Sequence, residues 1–134
     1  MSTAAPGRRP RPQRRPQLDP VTLEVVHAYL ISTVREMRAN MASSGWNIAL
    51  VENLDFSCGL LSAQGELLAM SEDIPNHVFA IAYHAKLANE LYAGRLDPGD
   101  VLLTNDPYTG GPHLNDILML LPYHRDGRLT MQIA

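Results

Sequence analysis

Leu54-Asp55-Phe56-Ser57-Cys58-Gly59-Leu60-Leu61 and Glu66-Leu67-Leu68-Ala69-Met70 flank Ser62-Ala63-Gln64-Gly65. Two apolar runs on either side of a small, glycine-ended connection predict a β-hairpin. Upstream the period is different. Leu23, Val26, Leu30, Val34, Met37 and Met41 recur at spacings of three and four, which places them on one face of a long helix. Asp19 can accept the open N–H groups of its first turn, and Pro20 suits the first helical position; Ser43, Ser44 and Gly45 end it. Downstream, a second helix fits Val78 to Tyr92, with Val78, Ile81, Ala82, Ala85 and Ala88 facing inward and Gly94 as its stop. Asp97-Pro98-Gly99-Asp100 is a turn leading to a short buried strand, Val101 to Thr104. Ile117 to Pro122 and Leu129 to Ile133 form another hairpin across Arg125-Asp126-Gly127. The fold class is mixed α+β: a long N-terminal helix, two β-hairpins and a second helix, forming part of a larger domain.

The final residues point to that larger domain. Leu129-Thr130-Met131-Gln132-Ile133-Ala134 stops on a strand pattern with no turn or polar cap, and an unfinished apolar strand is a sheet-edge hazard. The expectation is a truncated domain over residues 19–134. Residues 1–18 are rich in Pro and Arg, lack apolar periodicity, and are expected to form a disordered tail. As a basic arm for RNA or acidic lipid the tail lacks any aromatic residue for stacking, so a solubilising leader or a mis-assigned start codon is the preferred reading.

Charge and cysteine content exclude several function classes. The net charge is −3 over 134 residues, yet Arg8, Arg9, Arg11, Arg14 and Arg15 all precede residue 17 and all 14 acidic residues follow it. The body is therefore strongly acidic, which disfavours a nucleic-acid-binding face. The single cysteine, Cys58, allows no internal disulfide and suits a reducing compartment. No apolar run approaches the roughly 20 residues that span a bilayer, and the arginines at the start precede no apolar signal core. A cytoplasmic location is the expectation. There is neither a phosphate-binding loop nor a dinucleotide fingerprint.

Chemistry concentrates in Asn105-Asp106-Pro107-Tyr108-Thr109-Gly110-Gly111-Pro112-His113-Leu114-Asn115-Asp116. Two carboxylates and a histidine stand among prolines and paired glycines, which fix and permit backbone shapes that other residues resist. A loop so constrained can hold metal or substrate ligands still. It can equally be a tight connection whose Asp and Asn side chains satisfy their own turns. His113 and Asp116 lie three apart, as two ligands or as a ligand and its orienting partner. Asp55 stands between Leu54 and Phe56 in an apolar strand; either it points to solvent by alternation, or it needs a cation. Among the other histidines, His27 and His84 read as helix surface or packing residues, His77 marks a helix start, and His124 adjoins a turn.

Taken together, Asp19 through Val26, Leu54 through Leu60, Asp100 through Tyr108, and Gly110 through Asp116 resemble the hydantoinase B family. That family groups N-methylhydantoinase B subunits, the matching half of 5-oxoprolinases, caprolactamase-type subunits and a subunit of acetone and acetophenone carboxylases. The resemblance runs from Asp19 to the last residue and implies truncation, since members are several times longer. It implies a divalent metal of the zinc, manganese or iron class, held here by Asp55 and His113, with a further histidine expected beyond residue 134. It places Asp106 and Asp116 in the catalytic surroundings, behind the ligands or facing substrate. It also implies a hydantoinase A-type partner subunit that uses ATP to phosphorylate the oxygen of an amide, lactam or ketone substrate, after which the metal site completes hydrolysis or carboxylation. Three departures bear on substrate rather than on metal: Pro112 replaces the usual Thr before the loop histidine, Leu114-Asn115-Asp116 replaces Leu-Pro-Asp, and Ser43 through Asn47 replaces an arginine-rich stretch with a Tyr-Ser pair. A non-catalytic short homologue acting as an assembly or regulatory partner of the A subunit is the alternative.

Overall fold

The computed structural model describes residues 18–134 apart from Asp73 and Pro112. The expected tail, residues 1–18, lies outside the described residues except for Leu18. Chain order is α1 (Pro20–Ser44), α2 (Ile48–Val51), β1 (Gly59–Ser62), β2 (Leu67–Met70), α3 (Pro75–Leu91), β3 (Leu102–Thr104), a 3-10 turn (Pro107–Thr109), β4 (Leu118–Arg125) and β5 (Arg128–Ile133). The mixed α+β expectation holds.

Asp19 starts α1 as expected. Its carboxylate accepts from the Val21 amide at 2.9 Å and from the Thr22 amide and hydroxyl, with Pro20 beside it in the first turn. These bonds, first among them that from the Thr22 side chain, hold the carboxyl below its ordinary pKa. α3 also starts on a proline, Pro75, and ends as its backbone turns at Tyr92 and reaches Gly94 with positive φ.

The two hairpins join into one antiparallel sheet of order β2-β1-β5-β4-β3. β1 pairs with β5, so that Leu60 faces Ile133, Leu61 faces Gln132 and Ser62 faces Met131. The β4–β5 turn is Asp126-Gly127, both with positive φ, which matches the right-handed twist of the two strands.

Because neighbours on a strand point to opposite faces, Leu60 and Leu61 enter different cores. Leu60 joins Val34, Phe56, Cys58 and Ala69 under α1, with Met131 and Ile133 against them. Leu61 joins Ile81, Ala85, Ala88 and Leu120 under α3, with Leu102 and Leu118 packed alongside. The sheet is thus covered by a different helix on each face.

Two expectations need correction, and two findings add to the rest. The first hairpin strand begins at Gly59, not Leu54. Leu54 has φ +51°, and the Phe56 amide bonds back to the Leu54 carbonyl at 2.9 Å, so the chain turns sharply there and cannot extend a strand. Residues 48–51, left without an element by their sequence, form a single turn of helix capped by the Asn47 side chain. The strand at 102–104 is not buried, since Leu103 is 62% exposed at the sheet edge. On α1 only Val34 is buried; Leu30 and Met37 are half-buried, while Leu23, Val26 and Met41 are exposed. Periodicity marked a face correctly, but the sheet reaches only its middle.

Candidate metal and substrate site

The loop between β3 and β4 builds itself from its own polar groups. Asp106 caps the 3-10 turn: its Oδ1 accepts from the Tyr108 amide at 2.9 Å, and its carbonyl accepts from the Thr109 amide and hydroxyl. The hydroxyls of Thr104 and Thr109 bond each other at 3.0 Å. At Gly110 φ reaches +113°, and a Cβ there would meet the Ala80 carbonyl at 3.0 Å, so glycine is required both for the turn and for the close seat on α3. Asp106 is therefore committed to shaping the loop.

Three residues on, His113 and Asp116 form one unit. A single oxygen, Asp116 Oδ2, accepts from the His113 amide and lies 3.1 Å from His113 Nδ1. A proton on Nδ1 satisfies that oxygen and leaves the Nε2 lone pair outward, which is how a carboxylate orients a metal-bound histidine. The His113 side chain is 65% exposed and can reach a ligand. Asp116 thus closes its own turn, as the tight-connection reading expects, and in doing so orients the His113 ring.

Asp55 lies outside any strand and is exposed in the turn between α2 and β1, its amide bonded to the Ala49 carbonyl at 3.0 Å. Asp55 is therefore not buried in an apolar strand and needs no cation to stand there; its carboxylate is exposed. Among the described residues, no three His, Cys, Asp or Glu side chains converge closely enough to hold a metal ion. The donors that these two segments offer are one oriented imidazole and one exposed carboxylate.

His77, read as marking a helix start, and His84, read as a surface or packing residue, have specific partners. His77 Nδ1 is 2.9 Å from Ser57 Oγ, two residues past Asp55. His84 is 8% exposed, its Nδ1 lies 3.1 Å from the Thr109 carbonyl, and burial lowers its pKa against the opposing effect of that bond. Their partners lie 20 and 25 residues away, so no local pattern could have found them. Next to the loop, an open groove of about 510 Å³ is lined by Phe79, Tyr83, Tyr108 and Gly110, with Phe79 80% and Tyr108 89% exposed. A more enclosed cavity of about 380 Å³, lined by Asn89, His124 and Leu129 among others, shares no residue with the loop.

A helix-flanked antiparallel sheet carrying this glycine-proline loop defines the class. Residues 19–134 match the Hydantoinase B/oxoprolinase family, and the chain belongs to it. It is 30% identical over 118 residues to the 5-oxoprolinase PfmaA of Pestalotiopsis fici, covering 88% of this chain and 9% of that protein. It is 29% identical over 113 residues to caprolactamase subunit beta of Pseudomonas jessenii, covering 84% of this chain and 19% of the relative. The nucleotide-free structure of acetone carboxylase shares the fold, with a TM-score of 0.79 at 20% identity over 86% of this chain and 16% of that one. The chain thus spans about a tenth to a fifth of the length of these proteins. Among the described residues no helix is long and apolar enough to cross a membrane.

Proposed function

We propose that this chain is part of a B-type subunit of an ATP-dependent amidohydrolase or carboxylase, and that Asp55 and His113 supply ligands to a divalent metal ion of the zinc, manganese or iron class. The observation that carries the reading is the His113–Asp116 pair, in which one carboxylate oxygen fixes both the backbone and the ring of the histidine. An imidazole so held presents Nε2 in a fixed direction, which suits it to a metal. When bound, the ion would activate water or polarise a substrate oxygen.

The residues of the chain divide the remaining work. His113 presents Nε2, Asp116 holds the ring, Asp106 shapes the loop, and Asp55 brings a carboxylate from the other ligand-bearing segment. The substrate is an amide, lactam or ketone, activated by ATP on a hydantoinase A-type partner subunit. The name of the caprolactamase relative, a beta subunit, supports such a division between chains.

Metal analysis of the purified full-length protein tests this. Asp55→Ala and His113→Ala should each lose the bound ion, while His124→Ala should retain it. Asp116→Asn should weaken binding by ~10–100-fold, because an amide keeps the acceptor oxygen but not its charge. Wild-type metal content in either ligand variant would remove the assignment.

A further inference from the structure

We propose that α3 is a two-point clasp, with His77 and His84 as positioning residues that hold the Asp55 segment and the His113 loop at a fixed separation. The consequence for metal binding rests on the function proposed above; the clasp itself does not.

The two histidines are seven residues apart, which on a helix brings them to the same face about 10.5 Å apart along the axis. Each spends its Nδ1 on one of the two segments. His77 bonds the Ser57 hydroxyl at 2.9 Å, and His84 bonds the Thr109 carbonyl at 3.1 Å. A carbonyl only accepts, so His84 Nδ1 carries the proton and Nε2 is left as a bare acceptor. That Nε2 is buried with no hydrogen-bond partner among the described residues. A buried unsatisfied nitrogen is destabilising where an apolar side chain would pack without penalty, so the Nδ1 bond to the loop accounts for a histidine at this position. Gly110 strengthens the second point, since its backbone sits on the Ala80 carbonyl and the His84 side chain with no room for a Cβ. The helix is anchored by Ile81 between the two points and by Ala85 and Ala88 beyond the second, all buried against the sheet. A rigid rod fastened at both ligand-bearing segments fixes their spacing, although they are far apart in sequence.

Amide hydrogen exchange on the full-length protein without added metal tests the clasp. In His84→Ala, the Thr109, Gly111 and Asp116 amides should exchange about five- to tenfold faster, the cost of one hydrogen bond, while Asp55 and Phe56 should not change. His77→Ala should do the reverse. Asn at either position places an amide where the imidazole Nδ1 stood, so His84→Asn and His77→Asn should restore protection. Uniform loosening of both segments in either alanine variant, unchanged exchange in both, or failure of the asparagines to rescue would each overturn the proposal. Mn²⁺ titration of the same proteins reads the consequence: the alanine variants should bind ~10–100-fold more weakly and the asparagine variants close to wild type. A wild-type protein that binds no Mn²⁺ defeats the metal reading, and exchange still decides the clasp. Alanine variants that loosen their segments yet bind Mn²⁺ as wild type does would refute the positioning role.

Discussion

At the scale of single residues, Gly110 is the position where the loop has least tolerance. Its φ of +113° is strained for any side chain, and a Cβ would stand 3.0 Å from the Ala80 carbonyl. Gly110→Ala should destabilise the protein by about 1–3 kcal/mol, measured by denaturant unfolding, whereas Gly94→Ala meets no atom within 4 Å and should lose only the smaller cost of its backbone conformation. His84 makes a pH prediction. Its pKa is lowered by burial, so the unfolded chain binds the proton more readily than the folded one. Stability should therefore fall as pH drops through the ordinary histidine range and level off once the folded state also takes the proton. In His84→Asn that component should vanish from a stability–pH series; an unchanged slope would show that another group is responsible.

Among elements, α1 depends on its cap. Asp19 accepts from the Val21 and Thr22 amides, and its lowered pKa means that this stabilisation is present above the ordinary carboxyl value and lost as pH falls through the folded one. Asp19→Ala should speed exchange of those two amides and abolish their acid sensitivity, while Asp19→Asn should keep the cap and lose the pH dependence. Element boundaries also show what was legible in the sequence. The β4–β5 hairpin was, because Asp126-Gly127 is a strong turn signal. The approach to β1 was not, because Leu54-Asp55-Phe56 has strand composition and its sharp turn comes from a positive φ at a leucine, which composition does not encode. The loop from Asn105 to Asp116 stood out for its glycines and prolines; its fastening to α3 did not, since His84 meets Thr109 only after the chain has folded.

For the whole molecule, the two cores on opposite faces of one sheet decide which apolar positions matter. Leu120 is 1% exposed under α3, and Leu103, one strand away, is 62% exposed. Leu120→Ala should cost about 2–5 kcal/mol and Leu103→Ala within about 0.5 kcal/mol, both by denaturant unfolding. Equal losses would mean that the outer strand is covered in the full-length protein. The β1–β5 pairing has a further consequence, in time rather than in energy. Leu60, Leu61 and Ser62 leave the ribosome long before their partners Ile133, Gln132 and Met131. At about 5–20 residues per second the wait is on the order of ten seconds. Throughout it, one side of β1 keeps its backbone donors and acceptors unpaired beside a growing chain, and early closure onto a neighbouring nascent chain competes with correct assembly until β5 is made.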